Sequence, residues 1–196
     1  LLNGVLGRGP NPDANRRIAF LLVLASVPAA VAGLAFGSFF EATFERPYQT
    51  CAELLLTAIL LLACEHLGDR ASRRSIDAPR ATGIGVAQAA AILPGISRSG
   101  ATIGAGLWFG MSREEATRFS FLLSIPAIFG AGVLDMAEGD LAIGAASLAG
   151  TAAAAVSSYF AIAILIRFVR SHSLRVFAYY LFGAAPVYAG LIAIQR

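Results

Sequence analysis

The sequence predicts an all-α polytopic membrane protein, with five transmembrane helices and one re-entrant helix–loop–helix that form part of an inverted-repeat architecture. Composition, apolar runs and loop charge each point there. Of 196 residues, 57% are hydrophobic and 14% charged, against ~45–50% and ~25% in an ordinary soluble domain. Mean hydropathy is +0.71. The net charge is +3, and all 15 bases are arginine. They are scattered along the chain rather than gathered on one soluble face, which argues against a nucleic-acid partner. Cys51 and Cys64 both lie in apolar sequence and suggest neither a disulfide framework nor a zinc site.

A spanning helix needs ~20 mostly apolar residues. The whole chain, 1–196, reads as one integral membrane domain whose spans are 18–40, 50–67, 119–137, 141–168 and 174–195. Residues 1–17, with Gly7, Gly9, Pro10, Asn11 and Pro12, read as a polar loop arriving from something upstream. The chain begins at Leu1, and no basic segment with a small-residue cleavage site follows, so no signal peptide is expected. The second span carries Glu53 near one end and Glu65 with His66 near the other, within reach of the interfaces. Pro28, Pro126 and Pro186 fall inside spans, where neighbouring helices or water can satisfy the freed carbonyls.

Residues 81–111 are different. This stretch of 31 residues is too long for one upright span and too short for two with a turn. Its centre holds Pro94, Gly95, Gly100 and three hydroxyl side chains around Arg98, a composition that breaks a helix. Loop charge fixes how it sits, because cytoplasmic loops are enriched in basic residues. If 81–111 enters and leaves on one face, Arg8, Arg16 and Arg17, then Arg70, Arg73, Arg74 and Arg80, then Arg113 and Arg118, then Arg167, Arg170 and Arg175 all fall inside. Glu41, Glu45, Glu138 and Asp140 then fall outside. A single crossing would spoil the pattern. The break therefore lies near mid-membrane, where irregular backbone must be buried in protein or line a wet cavity. A faint internal echo, Ser26-Val27-Pro28-Ala29 and Ser124-Ile125-Pro126-Ala127, is compatible with inverted repeats.

The break collects hydrogen-bond donors. Arg98 is permanently charged, and no carboxylate lies within ten residues on either side. A lone charge in the bilayer is costly, and an anion brought in from elsewhere is the simplest remedy. A guanidinium fork matches phosphate with two parallel hydrogen bonds. Ser97, Ser99 and Thr102 add hydroxyls, and Gly95 and Gly100 let backbone amides approach closely. A half-helix starting near Ser99 would aim its free N–H groups and positive dipole end at the same spot. The set reads as a phosphate cradle. The plainer alternative pairs Arg98 with Glu53 or Glu65 of the neighbouring span and leaves the hydroxyls as helix caps.

Gln88, ten residues before Arg98, either faces the cavity or cross-links helices. Ser112-Arg113-Glu114-Glu115 has the spacing of a capping box opening the next helix. Trp108 and Phe109 fit an interfacial belt. His66 and His172 sit in interfacial and loop positions and make no convincing acid or base.

Residues 94–102, Pro-Gly-Ile-Ser-Arg-Ser-Gly-Ala-Thr, resemble the P-G-x-S-R-S-x-x-T signature of undecaprenyl-diphosphate phosphatases, the bacitracin-resistance proteins. Gln88 and the run Phe119-Ser120-Phe121-Leu122-Leu123-Ser124-Ile125-Pro126 are similar to that family as well. The resemblance implies a multi-pass enzyme of the bacterial plasma (inner) membrane. Such an enzyme removes the terminal phosphate of a polyprenyl diphosphate lipid so that the carrier returns to cell-wall synthesis. It implies two inverted repeats, each a re-entrant pair followed by three spans, and a divalent cation (Mg or Ca). In site terms it implies Arg98 and Ser97 as catalytic residues, with Gly95, Ser99, Gly100, Thr102 and Gln88 binding substrate.

The family's earlier motif, E-G-x-T-E-(F/W)-L-P-V-S-S-x-G-H, has no counterpart here. The first Glu is Glu41 and the first His is His66, and no metal ligands are identifiable. Against the family layout, the expectation is a chain without the first re-entrant pair and first span, impaired in hydrolysis on its own. A transporter or lipid carrier with an anion site at a broken helix is the alternative, since binding needs no nucleophile. A degenerate structural subunit is a third reading. Homo-oligomerisation is compatible with any of them.

Overall fold

The computed structural model describes residues 12–68, 75–138 and 144–194, and these fold into seven helices. They are α1 (Pro12–Phe44), α2 (Pro47–Gly68), α3 (Ala78–Ala90), α4 (Arg98–Trp108), α5 (Arg113–Glu138), α6 (Ala145–Ser171) and α7 (Arg175–Ile194). No strand occurs among the described residues. Five of the helices, α1, α2, α5, α6 and α7, are long and apolar enough to cross a membrane. The chain is a multi-pass membrane protein. Residues 1–11, Arg70, Arg73, Arg74, Asp140 and the first three residues of the expected span 141–168 lie outside the described residues.

The helices start earlier than hydropathy alone suggests, because their start signals precede the apolar runs. Residues 12–17, expected in a loop, are the first turns of α1; Pro12 opens the helix and Asp13 favours its positive end. Asp77 caps α3, accepting from the Arg80 amide at 3.1 Å, with Pro79 in the first turn. Ser112 and Glu115 form the expected capping box at α5: the Glu115 amide donates to Ser112 Oγ at 3.2 Å and the Ser112 amide to Glu115 Oε2 at 3.4 Å. Pro28, Pro126 and Pro186 lie inside α1, α5 and α7. The interruption in α1 is at Phe36, whose φ of −126° and ψ of 23° depart from helical values.

The two short helices form an antiparallel hairpin. Gly83 near the start of α3 lies against the Phe109 ring just past the end of α4, while Gln88 near the end of α3 meets Arg98 at the start of α4. Helix α4 packs on α2, α3 and α5, and α1 packs on α3 and α5. Leu21, Ala25, Ile84, Ile103, Leu107 and Leu123 form the centre of this core. Small residues bring the helices together: a Cβ at Gly85 would overlap the backbone carbonyl of Ala25, so α3 rests directly on α1. Helix α7 packs on α2, whereas α6 touches α5 and leaves Tyr159, Phe160 and Ile164 exposed. Exposed apolar side chains on long apolar helices are what lipid-facing surfaces present.

Candidate functional site

The break between α3 and α4 is residues 91–97, and it rests on α2 through Gly95 and Ser97. Ser97 is the N-cap of α4, its Oγ accepting from the Gly100 amide at 3.2 Å. The second half-helix therefore opens at Arg98, one residue before the expected Ser99. As first-turn residues, Arg98 and Ser99 have amides with no acceptor inside the helix. Ser99 is exposed, and Ser97 and Arg98 are partly so.

No carboxylate among the described residues pairs with Arg98. Its Nε and Nη2 donate to Gln88 Oε1 at 3.2 and 3.1 Å, and Nη2 also donates to the Leu123 carbonyl at 3.2 Å. Leu123 sits three residues before Pro126, in a turn where the proline weakens the helix ladder. Nη1 has no partner among the described residues. Two neutral oxygens thus fix the guanidinium from behind and leave its charge uncancelled. The acids that could have neutralised it are engaged elsewhere. Glu53 accepts from the Gly95 amide at 2.9 Å and from Gln49 Nε2 at 2.8 Å. Glu65, fully buried, forms an ion pair with Arg113 at 2.5 Å.

The other expected site residues divide. Gln88 is the cross-linking residue of the two roles left open by the sequence: it is 3% exposed and holds Arg98. Its amide NH2 has no acceptor among the described residues. Thr102 is spent on structure. Its hydroxyl contacts the Arg98 and Ser99 carbonyls at 2.9 and 3.3 Å and, in the core, Ser120 Oγ at 2.6 Å. Gly95 and Gly100 bring no spare amides, because Glu53 takes one and Ser97 the other. Gly95 is required for a different close approach, since a Cβ there would overlap Glu53 Cβ and the Thr50 carbonyl.

Sequence reasoning missed Thr57, offered Glu53 only as a partner for Arg98, and named Ser120 only within the run similar to the family. Thr57 Oγ1 donates to the Gly95 carbonyl and accepts from the Ser97 amide, each at 3.3 Å. The available signal was Gln49, Glu53 and Thr57 at four-residue spacing, a polar stripe on one face of an apolar span. No group of three or more His, Cys, Asp or Glu side chains placed to hold a metal occurs among the described residues. Glu53, the carboxylate at the break, has both oxygens occupied by protein donors. The described residues of this chain do not fit a divalent cation. An apolar cavity of about 190 Å³ opens beside Ser97 and Ser99, walled by Leu61, Ile103, Leu165 and Phe177 among others.

Residues 2–187 match the bacitracin resistance protein BacA family. The undecaprenyl-diphosphatase of Rubrobacter xylanophilus is 46% identical over 189 residues, 93% of this chain and 69% of that protein. The undecaprenyl-diphosphatase of Methanothermobacter thermautotrophicus is 44% identical over 167 residues, 82% of this chain and 92% of that protein. That of Geobacter sulfurreducens is 41% identical over 188 residues, 90% of this chain and 69% of that protein. The chain belongs to the bacitracin resistance protein BacA family.

Proposed function

We propose that this protein hydrolyses undecaprenyl diphosphate to undecaprenyl phosphate and inorganic phosphate in the bacterial inner membrane, returning the lipid carrier to cell-wall synthesis. The observation that carries the proposal is the unneutralised guanidinium of Arg98, held by Gln88 and Leu123 with Nη1 left over. The relatives' name supplies the chemistry. A diphosphate headgroup meets the Arg98 fork, the Ser97 and Ser99 hydroxyls and the first amides of α4. The cavity beside those serines has room for the first part of the apolar chain only, and the rest lies among the surrounding lipid.

Phosphoryl transfer demands stabilisation of charge on the transferring oxygens. As water attacks the terminal phosphorus, the bond to the bridging oxygen breaks, its electron pair stays on that oxygen of the departing undecaprenyl phosphate, and the water's proton passes to a phosphate oxygen, so negative charge builds on the bridging oxygen. Arg98, braced by Gln88 and Leu123, and the helix dipole oppose that charge from a preorganised position. Ser97 acts as a hydrogen-bond donor to the phosphate: its oxygen already accepts from Gly100, and its hydroxyl proton is free for the ligand. The hairpin is proposed to be re-entrant, with the break near mid-membrane.

The described residues provide grip, and no carboxylate or imidazole among them contacts Ser97. That observation favours a second reading, a diphosphate-lipid carrier that leaves its cargo intact. Phosphate release separates the two. Purified protein in detergent micelles, given farnesyl diphosphate, is expected to liberate inorganic phosphate, and Arg98→Ala to reduce the rate by about 100-fold or more. Binding without any release would establish the carrier instead.

A further inference from the structure

We propose that Glu53 and Thr57 of α2 are positioning residues that set the backbone of the break, so that Arg98 and the first amides of α4 face the ligand. The proposal rests on the reading of Arg98 as the phosphate-binding group. A buried acid in an apolar span is expensive and needs compensation. Glu53 is 7% exposed, yet it takes no arginine; its partners are the Gly95 amide and the Gln49 side chain. One turn further along the same face, Thr57 is 2% exposed and bridges the Gly95 carbonyl and the Ser97 amide.

These contacts account for both backbone polar groups of Gly95 and for the amide of Ser97. Inside a helix the i−4 ladder would satisfy them, but the break has no ladder, and unpaired backbone groups away from water are costly. Helix α2 supplies the missing partners. Chemical type follows from that task. A carboxylate only accepts, so it can serve two donors at once, whereas a hydroxyl donates once and accepts once, as Thr57 does. Gly95 lets the backbone lie flat on α2, where any Cβ would meet Glu53 and Thr50.

The consequence reaches the ligand through one residue. Ser97 is both the last atom set fixed by α2 and the N-cap that aims α4. Any shift of Gly95 or Ser97 turns Arg98 and Ser99 with it. Misplacement of binding groups by ~1 Å costs on the order of 100-fold in rate.

Hydrogen exchange on the full chain, with farnesyl diphosphate titration as a second readout, tests this. In Glu53→Ala and Thr57→Val, the amides of Gly95 and Ser97 are expected to exchange about tenfold faster or more, with affinity about tenfold weaker. Glu53→Gln and Thr57→Ser keep an acceptor in place and are expected to restore both readouts to within about threefold of wild type. Should Glu53→Ala fail to fold, Thr57→Val and its serine rescue carry the same comparison. Unchanged exchange in the Ala and Val variants, or faster exchange with wild-type affinity, overturns the proposal. Arg98→Ala keeps the two readings apart. It is expected to abolish binding with exchange at Gly95 and Ser97 unaltered, and retained affinity there would sink the phosphate reading while exchange still decides the role of α2.

Discussion

The side-chain oxygen of Gln88 accepts from both Nε and Nη2 of Arg98, at 3.2 and 3.1 Å. The partner is neutral, and that is its importance. A carboxylate in the same place would hold the guanidinium as well and cancel its charge; an amide holds it and leaves the charge for something else. Gln88 is buried on the last turns of α3, so the hairpin carries its own brace for the arginine.

Gln88→Glu tests that statement by adding one charge and almost no volume. The new carboxylate is expected to form a bidentate pair with Arg98. Farnesyl diphosphate affinity should fall by about tenfold or more, with thermal stability in detergent equal to wild type or higher. Undiminished affinity, measured by titration calorimetry, would show that the arginine's net charge is not what the ligand reads.

Thr102 separates a fold role from a ligand role. Its hydroxyl meets Ser120 at 2.6 Å in a fully enclosed contact. Thr102→Val strands the Ser120 hydroxyl and is expected to cost about 1–3 kcal/mol. The thermal midpoint should drop while affinity for farnesyl diphosphate in the folded fraction stays at the wild-type value. Thr102→Ser should recover most of the stability.

Expectations from the sequence succeeded where a long element carried the signal. The five apolar runs and the interrupted stretch are all present as helices, because burial from water decides helix existence over ~20 residues. Boundaries moved outward where Pro12 or Asp77 starts a helix ahead of its apolar run, whereas the start at Ser112 was legible from its capping box. Arg98, Ser97 and Gln88 were legible as a cluster, since ten residues or fewer separate them. Glu53 and Thr57 were not. They meet Gly95 and Ser97 from 42 and 40 residues away, and only the packing of α2 on α4 creates that contact. Thr102 was misread for a related reason. A hydroxyl one turn into a helix has its own carbonyl ladder to bond, and it does so here.

Close packing of the hairpin on α1 gives a prediction on stability alone. Gly85→Ala places a methyl group into the Ala25 carbonyl and is expected to destabilise by about 1–3 kcal/mol. Gly130→Ala is the control. Nothing lies within 4 Å of a Cβ there, and the better helix former should be neutral or stabilising by up to about 1 kcal/mol. Thermal unfolding of both variants in one detergent checks the contrast.

Arg113 joins α5 to α2 through the enclosed carboxylate of Glu65. Arg113→Ala leaves that charge buried without its partner. Breaking a buried pair costs ~3–5 kcal/mol, and the partial exposure of Arg113 places the expectation at the lower end of that range. Replacing both residues, Glu65→Leu with Arg113→Leu, should recover most of the loss. A double variant as unstable as Arg113→Ala would assign the effect to something other than the stranded charge.

The measurement that bears most directly on the site is the affinity of Arg98→Ala for farnesyl diphosphate beside that of wild type, at low and high salt. Wild type should bind at least about 100-fold more tightly at low salt, with the gap narrowing as salt screens the partly exposed guanidinium. Equal affinities for the two proteins would mean that the diphosphate is gripped elsewhere and that the arginine at the helix break serves the fold.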